Sequence, residues 1–155
     1  MRDYAQIRQI LPHGAAMVLV DRVEWIDPGR ALRAYKAVSG SELCYQHLPA
    51  GLPAERYAYP FSLIIESFGQ AAVVLWHSRP DTPVSGNSLL MFAAARNCRL
   101  ESSAYPGDVL RHEVEFERSI GDTGFARGET WAGDRLVATM GSFIAVARPA
   151  RLLPA

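Results

Sequence analysis

The sequence contains few cysteines. Cys44 and Cys98 are the only two, they lie far apart, and neither belongs to a CxxC pair. This pattern excludes a scaffold held together by disulfides and a thiolate metal site of the usual spacing. Because disulfides are rare in reducing compartments, we expect a protein of the cytoplasm.

An excess of charge of either sign is also lacking. Lysine plus arginine and aspartate plus glutamate each number 16, so the formal net charge is zero. A general nucleic-acid binder needs a basic excess to neutralise phosphates, and the balance excludes that class. A small local basic patch that meets an acidic partner stays possible.

Long apolar runs are missing as well. The strongest one, Phe61 to Trp76, contains Glu66 and Gln70 and is shorter than the roughly 20 apolar residues that span a bilayer. The first ten residues, MRDYAQIRQI, contain no apolar core of a secretory signal. We therefore expect neither a membrane span nor export.

Several catalytic motifs are absent. The sequence has no HxxxH or paired Cys/His spacing, no glycine-rich phosphate loop and no GxSxG elbow. We therefore expect no metal and no cofactor, and the sequence argues against a serine hydrolase. Cys44 and His47 form a minor alternative as a nucleophilic pair, although nothing in the sequence indicates an activated thiol.

Strand patterns occupy both ends of the chain. Residues 15–26 and Ala31 to Val38 are separated by Asp27-Pro28-Gly29-Arg30, which predicts a hairpin. The second half alternates between polar and apolar residues and is interrupted by glycine-containing turns. It predicts strands over Leu89 to Ala95, Val109 to Ser119, Phe125 to Trp131, and Leu136 to Ala147. Strands joined in this way form an antiparallel sheet.

The middle of the chain predicts a single long helix. Ser39 to Tyr59 is rich in proline and glycine and predicts neither strand nor helix. Phe61 to about His77 is apolar in every helical direction, and such a helix must be surrounded by protein. We therefore predict one α+β domain over residues 1–155, in which a curved antiparallel sheet of five or six strands wraps around one long central helix.

Glu66 is the first candidate for chemistry. A carboxylate within an apolar helix costs several kcal/mol unless it is paired, hydrogen-bonded or protonated, and Gln70 lies one turn later on the same face. The alternative is that Glu66 faces solvent or an arginine of a neighbouring strand. His47, in the loop before the helix, is a candidate base or simply a solvated side chain, and His13 is equally ambiguous.

Four segments resemble one family in the same order along the chain. Leu11-Pro12-His13 followed by Met17 to Val23 resembles the opening of FabZ-type 3-hydroxyacyl-ACP dehydratases, which are FabA/FabZ-like proteins. Gln46-His47-Leu48-Pro49 resembles their catalytic histidine loop. Pro60 to Glu66 with Gln70 resembles the start of their helix, and Tyr105-Pro106-Gly107-Asp108 matches their Pro-Gly-Asp turn.

The resemblance implies a hot-dog fold and a homodimer with its active site at the subunit interface. His47 of one protomer would take the C2 proton of a 3-hydroxyacyl thioester carried by acyl carrier protein or CoA. Glu66 of the other protomer, kept protonated by its apolar setting, would donate a proton to the departing C3 hydroxyl. The product would be a trans-2-enoyl thioester, and no cofactor would be required.

The resemblance also implies a set of substrate-binding residues at the start of the helix. These are Pro60, Phe61, Ser62 and Gln70. Backbone N–H groups near Phe61 and Ser62 would polarise the thioester carbonyl, with help from the helix dipole. Arg96 and Arg99 are candidate contacts for an acidic carrier protein.

The sequence departs from the family pattern at three places. The spacing between His47 and Glu66 is longer, with the extra length in Leu52 to Tyr59. Phe61 and Ala50 stand where the family has glycine, and the phenyl ring is expected to narrow or redirect the acyl tunnel. Two alternatives therefore stay open: a hot-dog thioesterase in which the helix carboxylate activates water, and a non-catalytic hot-dog partner. The departures favour a specialised polyketide or polyene route over primary fatty-acid synthesis.

Overall fold

The computed structural model describes residues 1–80 and 88–149. Two α-helices and six strands make up the regular structure of these ranges. In chain order they are α1 (Tyr4–Ile10), β1 (Arg22–Asp27), β2 (Ala31–Ala37), α2 (Phe61–His77), β3 (Ser88–Leu100), β4 (Val109–Ile120), β5 (Thr123–Ala132) and β6 (Arg135–Pro149).

All six strands form one antiparallel sheet. Their order across the sheet is β1-β2-β4-β5-β6-β3. Hairpins join β1 to β2, β4 to β5 and β5 to β6, whereas α2 is inserted between β2 and β3. The predicted α+β arrangement of a six-stranded antiparallel sheet with one central helix is confirmed.

Helix α2 forms the centre of the core. Every residue from Ser67 to Trp76 is buried, and so is Ile64 in the first turn, as expected for a helix that is apolar on all sides. The sheet approaches α2 closely at Gly69, where an added Cβ would lie 2.3 Å from the Phe143 ring of β6. Glycine at this position therefore sets the distance between helix and sheet.

The segment Ala54–His77 also meets the length and composition criteria of a membrane span. Within its most apolar window, 61% of the residues are buried inside the protein. A core helix meets the same criteria, and the sheet around α2 explains why the segment is apolar.

A buried polar network links α2 to the sheet. Ser67 and His112 Nε2 are 2.9 Å apart, and His112 Nδ1 lies 2.9 Å from the Thr130 hydroxyl. The Ser67 hydroxyl also donates to the carbonyl of Ile64. Burial lowers the pKa of His112 to about 3, so the ring is neutral and satisfied within the core, as its position on the apolar face of the strand predicts.

The N-terminal region differs from the prediction. Asp3 and Gln6 form a capping box that begins α1, a helix that the sequence reading missed. Strand β1 begins only at Arg22, so residues 15–21 are not part of it. Val18, Leu19 and Val20 are nevertheless buried, which shows that their apolar pattern indicated burial and not strand pairing.

The segment from Ser39 to Tyr59 contains no α-helix and no strand, as predicted. It forms two short 3-10 helices, Leu43–Tyr45 and Ala54–Tyr57. The second of them lies in Leu52 to Tyr59, where the chain is longer than the family pattern. Tyr57 packs its ring against Tyr45, so the additional residues are folded back onto the loop that carries His47.

The two edges of the sheet differ. Arg2 pairs with Val23 on the outer side of β1, which covers part of that edge. Strand β3 pairs only with β6 among the described residues, and it exposes Met91, Phe92 and Leu100. A long apolar edge strand of this kind invites pairing with another chain.

Candidate active site

Glu66 lies in the second turn of α2 and faces a cavity of about 270 Å³. The other residues that line the cavity are Ser62, Ile65, Phe92 and Ala95. The side chain of Glu66 is 31% exposed. A single carboxylate thus stands in a largely apolar cavity between the first turns of α2 and the edge strand β3.

Gln70 holds Glu66 in place from one turn further along α2. Its Nε2 donates to Glu66 Oε1 at 2.9 Å and to the carbonyl of Met17 at 2.7 Å. Its Oε1 accepts from the backbone N–H of Leu19 at 2.8 Å. Gln70 is buried, so it connects α2, the carboxylate and the segment before β1 through three satisfied bonds.

His13 is the second residue on the Glu66 carboxylate. Its Nε2 lies 3.2 Å from Glu66 Oε1. The other ring nitrogen, Nδ1, is buried and has no hydrogen-bond partner among the described residues. The sequence left the role of His13 open, and no spacing rule relates it to Glu66 across more than 50 residues. The structure brings the two side chains together because Gln70 docks the segment after His13 onto α2.

The hydrogen bonds to Glu66 stabilise its charged form. The bond from His13 lowers the pKa of the Glu66 carboxyl, and the bond from Gln70 acts in the same direction. These effects outweigh burial, which acts in the opposite direction. In the single chain these bonds act against the expectation that the apolar setting keeps Glu66 protonated.

His47 does not line the Glu66 cavity. It is exposed, in the loop that follows the 3-10 helix Leu43–Tyr45, and no hydrogen bond or ion pair joins it to Glu66. The structure does not bring the two predicted catalytic residues together within one chain.

A compact polar cluster anchors the start of the His47 loop. Lys36 Nζ and Glu42 Oε1 are 2.7 Å apart, and both side chains are largely buried. The Tyr59 hydroxyl donates to the second oxygen of Glu42 at 2.8 Å. The cluster joins the end of β2 to both ends of the 39–59 segment, so it fixes the start and the end of the loop that carries His47.

The predicted substrate-binding residues occupy the first turns of α2. Pro60 is the N-cap residue, and Ser62 lines the cavity beside Glu66. Phe61 is half-buried and packs against the core, and it does not line that cavity. Gln70, one turn beyond Glu66, donates a hydrogen bond to the Glu66 carboxylate.

A second, apolar cavity of about 510 Å³ lies beside the same end of the helix. Leu63 contributes to its wall from α2, one turn before Glu66. The remaining lining residues come from two loops: Ala16, Met17, Leu19, Ser41, Glu42, Leu43 and Cys44. Apolar space is therefore available at the start of α2 besides the cavity that Glu66 lines.

Other candidates from the sequence are placed as follows. Burial raises the pKa of the Cys44 thiol, which argues against Cys44 as a nucleophile. Arg96 and Arg99 are exposed on β3. Within residues 1–80 and 88–149, no group of three or more His, Cys, Asp or Glu side chains could hold a metal ion.

Sequence comparison finds relatives that cover most of the chain. A protein of Geobacillus thermodenitrificans is 36% identical over 138 residues, which are 88% of this chain and 90% of the relative. A protein of Pelotomaculum thermopropionicum is 35% identical over 139 residues, which are 89% and 94% of the two chains. Both are named 3-hydroxyacyl-acyl-carrier-protein dehydratase FabZ. No family model matches the chain.

Solved structures share the fold. The dehydratase heterocomplex ApeI:P of Xenorhabdus doucetiae matches with a TM-score of 0.74 at 21% identity, over 94% of this chain and 92% of that one. A hot-dog-like protein of Thermanaerovibrio acidaminovorans has a TM-score of 0.61 at 18% identity, over 82% and 87%. The fluoroacetyl-CoA thioesterase FlK has a TM-score of 0.64 at 11% identity, over 83% and 92%. The fold is therefore the hot-dog fold.

Proposed function

Since the chain belongs to the FabZ family of 3-hydroxyacyl-acyl-carrier-protein dehydratases, we propose that it removes water from a 3-hydroxyacyl thioester carried by an acyl carrier protein. The reaction makes it a lyase, and the product is a trans-2-enoyl thioester. The observation that carries the proposal is the carboxylate of Glu66, held at an apolar cavity by Gln70 and His13.

In the proposed reaction, His47 takes the C2 proton and Glu66 delivers a proton to the C3 hydroxyl, which leaves as water. His47 is an exposed loop residue, so it is free to meet substrate bound to another protomer. Backbone N–H groups near Phe61 and Ser62, at the positive end of the helix dipole, would hold the thioester carbonyl. Pro60 would shape the same turn.

We propose that a second copy of the chain completes the site. Acid and base must reach the same substrate, and His47 of the same protomer does not line the Glu66 cavity. The unpaired edge of β3 exposes apolar side chains, and Phe92 of the same strand lines the Glu66 cavity. A second chain that pairs with this edge would cover the cavity and bring its own His47 to it.

The test is incubation of the purified protein with 3-hydroxyacyl thioesters on acyl carrier protein and on CoA, over several chain lengths. Enoyl-thioester absorbance and free thiol are followed together. Absorbance that rises without thiol release supports the dehydratase. Absence of enoyl product on every substrate would contradict it.

One observation favours a thioesterase as the second candidate. A base that activates water must be ionised, and the hydrogen bonds to Glu66 lower its pKa. The thioesterase FlK also shares the fold. In the same assay, free thiol that rises without enoyl product would identify this activity.

The names of the relatives point to fatty-acid biosynthesis, and we propose that this chain acts there or in a related polyketide or polyene route. Arg96 and Arg99, exposed on β3, are proposed to meet the acidic carrier protein. Both cysteines are free, which supports a cytoplasmic location. We propose that residues 1–155 form one hot-dog domain.

A further inference from the structure

The hydrogen bonds to Glu66 favour its charged form, so the proposed reaction needs a source for the proton that Glu66 delivers. The departing hydroxyl must receive a proton to leave as water, and the hydrogen bonds on Glu66 favour the carboxylate. Two side chains contact the Glu66 carboxylate, Gln70 and His13. The Gln70 amide does not give up a proton, so the imidazole of His13 is the candidate donor.

The geometry around His13 suits proton transfer. Nε2 lies 3.2 Å from Glu66 Oε1, which is within the range of a long hydrogen bond to a charged acceptor. The two side chains are equally exposed, at 31% each, so both can exchange protons with solvent. Histidine is the side chain that most readily exchanges protons near neutral pH.

His13 is not needed to hold the segment before β1 against α2. Gln70 already fastens the segment after His13 to α2 through the carbonyl of Met17 and the N–H of Leu19. It also fixes Glu66 Oε1 directly. His13 therefore adds to the carboxylate something that Gln70 does not supply, a proton that can be transferred.

We propose that His13 and Glu66 work as a pair, in which His13 supplies the proton that Glu66 delivers to the leaving hydroxyl. The inference rests on the proposed dehydratase reaction. His13 acts through Glu66 and is a positioning and proton-supplying residue, because it does not itself touch the reacting atoms.

The protons balance over one turnover. Protonated His13 gives its Nε2 proton to Glu66, and Glu66 gives a proton to the C3 hydroxyl as the C3–O bond breaks. His47 takes the C2 proton, and the electrons of the C2–H bond form the new double bond. Solvent then removes the proton from His47 and returns one to His13, so the enzyme ends as it began.

The pairing has a consequence for the pH range of the acid. A histidine side chain ordinarily keeps its proton to a higher pH than a carboxyl does, so a proton supplied by histidine is available at a pH where an isolated carboxyl has lost its own. Among the described residues, His13 is the only charged or titratable side chain that shifts the pKa of Glu66. In the proposed dimer, the partner's His47 would join them.

The experiment compares His13→Gln, His13→Ala and the control His77→Gln. Glutamine keeps an amide donor near the position of Nε2 but cannot carry a transferable proton. We expect His13→Gln to lower kcat by about 100-fold or more, with little change in KM, and to move the alkaline limb of the kcat/KM profile to lower pH. His77, at the other end of α2, should leave all three quantities unchanged.

Free imidazole provides a second measurement. It should restore part of the activity of His13→Ala and none of that of His13→Gln, because only the first variant leaves space for it beside Glu66. If His13→Gln keeps the kcat and the pH profile of the original chain, the pair is refuted and His13 has only a structural role.

A readout without turnover separates this inference from the proposed function. Nitrogen-15 NMR of the histidine rings at fixed pH, assigned with His13→Gln, should show the His13 signals change in Glu66→Gln while those of His77 do not. Unchanged His13 signals would refute the pair. A protein that shows the change but forms no enoyl product would refute the proposed reaction, and with it the role of His13 in proton delivery, while confirming that His13 and Glu66 interact.

Discussion

At the scale of single residues, Glu66 illustrates how contacts decide the state of a carboxyl group. An apolar helix favours the neutral acid, because burial raises the pKa of a carboxyl. Two donors, His13 and Gln70, reverse that preference. The pKa of Glu66 therefore depends on one donor from its own helix, Gln70, and on one from a distant part of the chain, His13.

The first prediction concerns this carboxyl. Glu66→Gln keeps its volume and a bond to Gln70 but removes the acid, so we expect dehydration to fall by at least about 100-fold. The assay is initial-rate formation of enoyl thioester, with circular dichroism to check the fold. The matched control is Glu117→Gln on the exposed face of β4, which should keep full activity. Near-full activity of Glu66→Gln would exclude the acid role.

The second prediction concerns His112 and acid stability. Its pKa is about 3 in the folded chain and near 6.5 when unfolded, so between these values the unfolded chain binds one more proton. The stabilisation is complete above pH 6.5 and is lost as the pH falls towards 3, by up to about 1.4 kcal/mol per pH unit. Urea unfolding at pH 7, 6 and 5 measures the slope.

The comparison variant is His112→Gln, which cannot titrate in this range. Its free energy of unfolding should be lower at pH 7, because the bonds to Ser67 and Thr130 are disturbed, but it should depend less on pH. An equal pH slope in both proteins would show that His112 is not the source of the acid sensitivity.

At the scale of elements, the position of α2 depends on side chains that cross from one element to the next. Ser67 connects it to β4 through His112, and Gln70 connects it to the segment that precedes β1. Gly69 allows β6 to approach. Apolar burial places the helix inside the sheet, and these few contacts determine its rotation, which turns Glu66 towards the cavity.

The third prediction tests the Gln70 connection. In Gln70→Leu, the N–H of Leu19 and the carbonyl of Met17 lose their partner, and each buried unsatisfied group costs about 1–3 kcal/mol. We therefore expect a clear fall in the free energy of unfolding together with reduced kcat, because Glu66 also loses a donor. Urea unfolding and initial rates provide the two measurements.

A suitable control is Gln46→Leu, an exposed glutamine in the His47 loop, which should leave the free energy of unfolding nearly unchanged. If Gln70→Leu is as stable as the original chain, then the segment before β1 is held by apolar burial and not by the amide.

At the scale of the whole molecule, the described chain presents a Glu66 cavity that its own His47 does not line and a sheet that ends in an apolar edge. Both features lie on the same side, because Phe92 and Ala95 of β3 line the Glu66 cavity. A second chain that covers this edge would bury the exposed apolar surface and desolvate the cavity. Both effects follow from one contact.

The fourth prediction follows from this arrangement. Met91 is 41% exposed on β3, and Met91→Lys introduces a charge of the kind that prevents edge pairing. We expect the variant to become monomeric in light scattering coupled to gel filtration, and to lose activity although Glu66 and its bonds are untouched.

The control for this variant is Ile120→Lys, which is exposed at the end of β4 away from β3 and should leave the assembly intact. A monomeric original chain that is fully active would contradict the interface, and so would Met91→Lys that remains a dimer with full activity.

Much of the fold could be predicted from local patterns. The bounds of α2 agree with the apolar run from Phe61 to His77, because no other structure suits so long a segment that is apolar on every side. Strands β4, β5 and β6 could be predicted because the second half of the chain alternates between polar and apolar residues and is divided by turns. Helix α1 and the start of β1 could not, since a short capped helix and a buried irregular segment leave little periodicity to detect.

The candidate site could be predicted only in part. Glu66 and Gln70 are one turn apart on one helix, so the sequence by itself determined that they meet. Only the tertiary structure decided that Glu66 contacts His13, that His47 does not line the cavity, and that the pKa of the Glu66 carboxyl is lowered. These features depend on which segments the sheet brings against α2, and hydrogen bonds between distant segments leave no periodic trace in the sequence.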